Sequence, residues 1–305
     1  MKVNINDMNE MKCWLSLAAF AKFLPAHDGN LFYYDSTNSE GKNDKPVIVL
    51  VHGLGDEADT WRHVFHPLAD ADFRVLALDL PGFGRSNLKC GINIGVHCKA
   101  VMRIMEVAGV DSEHPAVLVG SSLGAGIVEL VAGSQPNFVK AVILLTGSFP
   151  FAKSINRKLL FVGLPFFGRK WYRGFRKNHD AARKSLRLYY ADIDVMDEAD
   201  RDFLNERVVA RVESDNQERG YLSTVRSINV FGLRAVVRKM KRFPGRILIL
   251  CGEKDKIFPP EKSWLFRTIR PDAEFAVIPN AGHLPHQEKP EVTMMEILRF
   301  LNNYG

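Results

Sequence analysis

Short, nearly uninterrupted runs of apolar and β-branched residues recur along the first half of the chain. They occupy residues 46–51, 73–78, 117–119 and 139–145, and glycine follows each run within four residues. A run of this length is too short for a helix, and the lack of polar alternation indicates a strand covered on both faces. The runs therefore predict the inner strands of a parallel sheet.

Stretches with helical spacing of apolar residues separate these runs, at residues 60–65, 96–110 and 127–132. Three further strand-like runs and a closing helix complete the pattern, at residues 31–34, 246–252, 276–278 and 292–302. Strands that alternate with helices are typical of βαβ units. We therefore predict an α/β fold with a doubly wound, mostly parallel sheet.

The alternation stops between residues 149 and 245, where the patterns are helical and no strand is evident. Residues 151–245 hold 21 Lys and Arg against 11 Asp and Glu, whereas the whole chain has a net charge of +6. The basic character thus belongs to the interruption, and the rest of the chain is mildly acidic. We predict a helical insertion at 149–245 between the two parts of the α/β core, 1–148 and 246–305.

The N-terminal residues and the cysteines indicate in which cellular compartment the protein is expected. Residues 13–21 form a short apolar run, but the residues before it balance Asp7 and Glu10 against Lys2 and Lys12. Because a secretion signal needs a positive leading segment, we favour a short helix that packs on the domain or touches a membrane. The four cysteines lack metal-ligand or disulfide-framework spacing, so we expect a cytoplasmic protein with reduced thiols and no metal or cofactor.

The strand-like run at 117–119 leads directly into Gly-x-Ser-x-Gly, with Ser122 at its centre, and then into the helical stretch 127–132. In this context the motif indicates a nucleophile elbow, a strand-to-helix turn so tight that side chains beside the serine would collide. Gly120 and Gly124 remove that collision and leave the Ser122 hydroxyl projecting outward. Ser122 is the candidate nucleophile.

A serine hydroxyl needs a base to take its proton and an acid to orient that base. Asp255 comes shortly after the strand-like run 246–252, and His283 follows the last strand. The order Ser, Asp, His along the chain is the one that accompanies this elbow. Glu253 and His286 are the rival acid and base, and Ser121 is predicted to be a spacer.

Together these motifs resemble the α/β-hydrolase superfamily with a helical cap, over roughly residues 30–150 and 245–305. The shared features are His-Gly at 52–53, Asp-Leu-Pro-Gly-Phe-Gly-Arg-Ser at 79–86, the elbow, Gly-x-x-Asp at 252–255 and Gly-His at 282–283.

The resemblance implies that Ser122 is the nucleophile, His283 the general base and Asp255 the orienting acid. It also implies an oxyanion hole made by the backbone N–H groups of Leu54 and Leu123. His52, Asp79 and Arg85 are expected to support the surrounding loops.

Several chemistries use this fold. Haloalkane dehalogenases and epoxide hydrolases carry aspartate at the elbow, which Ser122 disfavours. Carbon–carbon bond hydrolases typically have a Gly-Pro-Gly loop and a tryptophan after the histidine, whereas this chain has Leu54 and Leu284 there. We therefore expect a carboxylic ester hydrolase, with thioesterase, carbon–carbon hydrolase and an inactive receptor or scaffold as alternatives.

The early insertion suggests the kind of substrate. Residues 159–168 with Trp171, Tyr172 and Phe175 are apolar and aromatic, and basic residues are interleaved with them. These side chains either attach the cap to the core or line the entrance for a lipophilic ester. A peripheral membrane contact stays open, no motif indicates nucleic-acid binding, and oligomeric state and natural substrate are left undetermined.

Overall fold

A computed structural model describes residues 13–26, 28–37, 44–88, 91–148, 162–230 and 233–302. Its central sheet has nine strands in the order β1-β2-β4-β3-β6-β7-β8-β9, and β5 pairs with β2 at one edge. The strands are β1 (Ala21–Ala26), β2 (Gly29–Asp35), β3 (Val47–Val51), β4 (Arg74–Leu78), β5 (Asn87–Leu88), β6 (Ala116–Ser121), β7 (Val139–Leu145), β8 (Arg246–Gly252) and β9 (Glu274–Ile278).

The six strands from β4 to β9 along the sheet run parallel, and β1, β2 and β5 add an antiparallel edge. This arrangement confirms the prediction of a mostly parallel, doubly wound sheet. The first parallel strand, β3, lies between β4 and β6, so the winding direction reverses there. In such sheets a site is expected at the carboxyl ends of the strands beside the reversal.

Helices cover both faces of the sheet and extend beyond it. They are α1 (Phe65–Asp70), α2 (Ile94–Val107), α3 (Leu123–Ser134), α4 (Pro165–Lys177), α5 (His179–Leu186), α6 (Glu198–Glu213), α7 (Asp215–Val230), α8 (Leu233–Arg242), α9 (Pro260–Trp264), α10 (Pro285–Glu288) and α11 (Pro290–Asn302). The α2, α3 and α8 side holds one apolar layer, and the α1 and α11 side holds the other. Alternate side chains of each strand enter opposite layers, as apolar runs without polar alternation require.

Helices α4 to α7 form a separate layer with a small apolar core of their own, which includes Tyr172, Leu186, Leu204 and Val208. Helix α8 differs, because its Val236 and Met240 belong to the apolar layer beside α3. The predicted insertion 149–245 therefore includes one helix that packs with the sheet. Residues 149–161, where that insertion was predicted to begin, lie outside the described residues.

The short helix predicted near the N-terminus is present as a 3₁₀ helix whose Leu17 is buried in the apolar layer, and a strand that was not predicted follows it. A 3₁₀ helix, Leu15–Phe20, is followed at once by β1, which pairs antiparallel with β2. The Phe23 and Phe32 rings meet across this pair at 5.2 Å between centroids. Without β1, that side of β2 would expose unpaired backbone groups. Among the described helices, none has the length and apolar character needed to cross a membrane.

Candidate active site

Ser122 stands at the turn between β6 and α3, at the edge where the winding reverses. Its backbone has φ 53° and ψ −113°, a strained conformation for a residue with a side chain. The Ser122 N–H donates to the Leu145 carbonyl at 2.8 Å, which anchors the turn to the neighbouring strand. The predicted elbow is therefore present in the backbone geometry.

The motif glycines are required by close backbone approach. A Cβ on Gly120 would lie 2.4 Å from the Gly124 carbonyl, and a Cβ on Gly124 would lie 2.1 Å from the Val51 carbonyl oxygen. Gly147, beyond the motif, is also constrained, because its Cβ would lie 2.5 Å from the Ser122 carbonyl oxygen. Glycine is thus needed at three points around the serine, of which the sequence motif covers two.

Asp255 and His283 meet, although they come from loops after two different strands. The His283 Nδ1–H donates to Asp255 Oδ2 at 2.8 Å, and both residues are buried. The other carboxylate oxygen, Oδ1, accepts the N–H groups of Ile257 and Phe258 at 2.8 and 2.9 Å. These bonds fix the carboxylate and leave Nε2 of His283 as the proton acceptor. The hydrogen bond from Ser122 to His283 stays a prediction.

Two residues that the sequence did not indicate hold the histidine loop. The His283 N–H donates to the Tyr189 carbonyl at 2.7 Å. Glu288 accepts the N–H of Gly282 at 2.5 Å and the N–H of Ala191 at 2.7 Å, so it ties the loop to the segment after α5. Burial raises the pKa of Glu288. No local motif marks these partners, because the contact joins segments about a hundred residues apart.

The loop after β3 approaches the nucleophile from the other side. A Cβ on Gly53 would lie 3.3 Å from Ser122 Cβ, so the loop backbone borders the serine. His52 braces it as expected: its Nε2 accepts the Leu80 N–H at 2.8 Å and its Nδ1 lies 2.7 Å from the Gly53 carbonyl oxygen. Burial lowers the pKa of His52, which favours the neutral ring.

The two predicted oxyanion donors lie on this border. Leu123 is the first residue of α3, and the first N–H groups of a helix have no acceptor within it. Leu54 belongs to the loop after β3 and lines the same cavity as Ser122. Their joint action on a bound substrate stays a prediction.

An ion-pair cluster that the sequence did not reveal joins this loop to α6. Fully buried Glu57 pairs with Arg207 and, at 2.9 Å, with Arg211, whose Nη2 also donates to Asp56 at 2.6 Å. Burial acts to raise the pKa of Glu57, but the two guanidinium charges lower it below its ordinary value. We call Glu57, Arg207 and Arg211 the cap latch.

The rival residues have other partners. His286 stacks on Trp61 with 4.4 Å between centroids, and its Nε2 lies 2.9 Å from Thr60 Oγ1. Burial, followed by the nearby Arg62 charge, holds its pKa well below the usual range. Glu253 accepts the N–H of Asn280 at 2.9 Å. Ser121 is buried, and its hydroxyl has no hydrogen-bond partner among the described residues.

A cavity of about 360 Å³ lies between the sheet and the helices above it, and both Ser122 and His283 line it. Most of its wall is apolar or aromatic, with contributions from α4, α5, α6 and α7. Representative lining residues are Trp171, Phe175, Leu186, Tyr189, Leu204, Val208 and Tyr221. Among these described lining residues, the acidic and basic side chains other than His283 are Asp56 and Arg211, which form an ion pair. No cluster suited to a metal ion occurs within the described ranges.

The model of the alpha/beta hydrolase fold family matches residues 46–290. The chain belongs to this family. It is similar, at 24% identity over 93% of this chain and 97% of the relative, to a 2-hydroxy-6-oxononadienedioate/2-hydroxy-6-oxononatrienedioate hydrolase of Pseudomonas sp. An uncharacterised hydrolase of Bacillus subtilis (strain 168) is 28% identical over 90% of this chain and 95% of its own length.

Among solved structures, a thermophilic esterase from Thermogutta terrifontis superimposes with a TM-score of 0.71 at 20% identity, covering 93% of this chain and 98% of the esterase. At this identity the likeness establishes the fold alone. The family membership supports a hydrolytic enzyme, and the Pseudomonas relative is named as a hydrolase of two dioates.

Proposed function

We propose that this hydrolase cleaves carboxylic esters with a lipophilic acyl group through an acyl-enzyme at Ser122. The observation that carries the proposal is the shared cavity: a strained serine and an aspartate-oriented histidine line one apolar chamber. Strain at a single residue persists only where the surrounding structure holds it, and such residues cluster at active sites.

In the proposed reaction, Nε2 of His283 takes the Ser122 hydroxyl proton as Oγ attacks the ester carbonyl carbon. The carbonyl oxygen becomes an oxyanion and accepts the Leu54 and Leu123 N–H groups. The imidazolium, stabilised by Asp255, returns its proton to the leaving alcohol as the C–O bond breaks. Water then attacks the acyl-enzyme by the same sequence, which releases the acid and restores Ser122.

The charge balance of the cavity favours an uncharged substrate. Arg211 is its one guanidinium among the described lining residues, and that group is already paired with Asp56 and Glu57. A dicarboxylate would have to compete with these two carboxylates and would be desolvated without a free cation. A neutral ester carries no such cost, and its acyl chain gains from the apolar wall.

Carbon–carbon bond hydrolysis remains the second candidate because of one observation. The Pseudomonas relative, similar along almost its whole length, is named for action on a dioate. If the second candidate holds, purified protein will bleach a 2-hydroxy-6-oxodienoate chromophore far faster than it cleaves any p-nitrophenyl ester.

The proposal is tested by active-site labelling and ester turnover. A fluorophosphonate should label the wild type at Ser122, and Ser122→Ala should abolish labelling and lower turnover by on the order of 10⁴ or more. Ser121→Ala is the matched control, because its neighbouring hydroxyl is buried without a partner among the described residues. It should label normally. Equal labelling of the wild type and Ser122→Ala would refute the assignment.

A further inference from the structure

Helix α4 exposes large aromatic side chains that a surface helix ordinarily buries. Phe166 is 75% exposed, Phe167 47% and Trp171 43%. The opposite side of the helix packs inward through Gly168 and Tyr172. Phe166 and Phe167 also contact each other, with 5.9 Å between ring centroids. Adjacent exposed aromatics of this size mark an interaction surface more often than scattered apolar residues do.

The same helix is strongly basic. From Gly163 to Lys177 the sequence contains five Lys and Arg and no Asp or Glu. Arg173 and Arg176 pair with Glu218 at 3.1 and 3.0 Å. Lys170 and Lys177 are exposed and have no acidic partner among the described residues. These two lysines lie among the aromatics, so α4 presents cations and rings on one side.

The aromatic surface continues into the cavity. Trp171 lies 5.1 Å from Phe175 and 6.0 Å from Tyr221 between ring centroids, and all three residues line the chamber that contains Ser122. Trp171 is therefore both part of the exposed face and part of the cavity wall. A partner bound to the outer face of α4 would therefore lie next to the chamber.

We propose that this face of α4 (Phe166, Phe167, Lys170, Trp171 and Lys177) docks on an anionic phospholipid bilayer. Aromatic rings between basic residues suit the headgroup boundary, where the rings enter the acyl region and the cations meet lipid phosphates. Charge complementarity selects this partner over a second copy of the chain, because two such faces would repel each other. The proposal does not require Ser122 chemistry.

The test is flotation of the purified full-length protein with vesicles of phosphatidylcholine alone and of phosphatidylcholine with about 30% phosphatidylglycerol. We expect binding to the anionic vesicles, weakened severalfold by about 0.5 M salt, which screens charge. Phe166→Ser/Phe167→Ser and Lys170→Glu/Lys177→Glu should each weaken partitioning at least about tenfold. Ser122→Ala should bind like the wild type, which separates docking from catalysis.

Two matched controls address charge and apolarity elsewhere. Arg238→Glu/Lys241→Glu makes the same charge change on α8, and Val195→Ser removes an apolar side chain that is 74% exposed outside this face. Both should bind nearly as the wild type does. Equal loss in the α8 variant would overturn the proposal in favour of diffuse attraction. The proposal would also be overturned if the wild type failed to bind either kind of vesicle. It would be overturned too if the wild type were a dimer and Phe166→Ser/Phe167→Ser made it monomeric.

Discussion

At the scale of single residues, the candidate site depends on which hydrogen bonds each of the two carboxylate oxygens of Asp255 accepts. Oδ1 of Asp255 accepts two backbone N–H groups, and Oδ2 accepts the Nδ1–H of His283. The first pair of bonds fixes the carboxylate plane, and the third selects the imidazole tautomer. The side chain therefore sets which nitrogen of His283 is free to act as a base.

The Asp255→Asn variant tests this arrangement of hydrogen bonds. The amide oxygen can keep the two backbone bonds, so an NH₂ group faces His283 and forces Nδ1 to accept. The proton then resides on Nε2, which can no longer take the Ser122 proton. We expect ester turnover to fall by on the order of 10⁴, less than in Ser122→Ala, with a nearly unchanged melting temperature.

The control for this variant is Glu253→Gln, because that acid is the rival and bonds the Asn280 N–H instead. It should retain turnover within a few-fold of the wild type. A large loss in Glu253→Gln together with an active Asp255→Asn would exchange the roles of the two acids.

Residues that act through a local motif could be predicted from the sequence, and residues that act through a distant partner could not. The Gly-x-Ser-x-Gly spacing indicates a strained turn at Ser122 because the collision that Gly120 avoids, with the Gly124 carbonyl, lies within the motif itself. Gly147 faces the same backbone, yet its constraint arises only when β6 and β7 pair. Nothing near Tyr189 indicates that its carbonyl holds His283.

At the scale of elements, the cap latch connects α6 to the loop that carries Leu54. Glu57 and Arg207 are almost completely buried, Arg211 is only slightly exposed, and each of the three has an opposite charge within hydrogen-bond distance. Removing one partner of a buried pair leaves an uncompensated charge, which costs much more than an exposed pair contributes. The latch should therefore be sensitive to single substitutions.

Glu57→Gln should lower the free energy of unfolding by about 3–5 kcal/mol at neutral pH, because Arg207 is left buried with a neutral partner. Urea denaturation measures the loss. Asp194→Asn is the control, since the Arg187–Asp194 pair is largely exposed and should give no measurable change. An unchanged urea midpoint in Glu57→Gln would show that the cap latch makes no net contribution to the free energy of unfolding.

The pH dependence of that difference follows from the direction of the Glu57 pKa. The folded pKa lies below the ordinary 4.5, so the unfolded chain binds the proton first as pH falls. The contribution of ionised Glu57 to the free energy of unfolding is complete when the pH is above the ordinary pKa. It is lost as the pH falls toward the folded pKa. The melting temperatures of wild type and Glu57→Gln should thus differ by a constant amount well above pH 4.5 and converge progressively as the pH falls below that value.

Element types were largely predictable, and their packing was less so. The runs at 139–145 and 246–252 coincide with β7 and β8, because inner strands of a parallel sheet are apolar on both faces. Strand β1 was missed because an edge strand lacks that signal and its identity depends on pairing with β2. Helix α8 was predicted only as part of the helical insertion, and its contact with α3 is what assigns it to the core layer.

At the scale of the whole molecule, the order of strands and helices predicted where the site would lie. Ser122, the loop after β3, and the loops bearing Asp255 and His283 all meet at the carboxyl edge of one sheet, as parallel topology requires. The depth and shape of the cavity were not predictable. They arise where four helices from the insertion meet that edge, and no sequence pattern encodes the distance between them.

The cavity yields the last prediction, on acyl chain length. A chamber of about 360 Å³ with a mainly apolar wall can cover several methylene groups beyond the ester carbonyl. Each methylene removed from water adds up to ~0.8 kcal/mol, roughly fourfold in kcat/KM if the transition state retains the contact. We expect kcat/KM for p-nitrophenyl esters to rise from acetate to at least hexanoate or octanoate.

Leu204 and Val208 of α6 both line this chamber, so filling it should reverse the trend. Val208→Phe should leave acetate turnover nearly intact and depress octanoate turnover, because the added ring occupies space that only the longer chain reaches. Phe166→Ser, on the outer face of α4, is the matched control and should keep the wild-type order of esters measured as monomers in solution. A monotonic fall in the wild type beyond acetate or butyrate would show instead that the cap aromatics serve packing alone and that the acyl pocket is small.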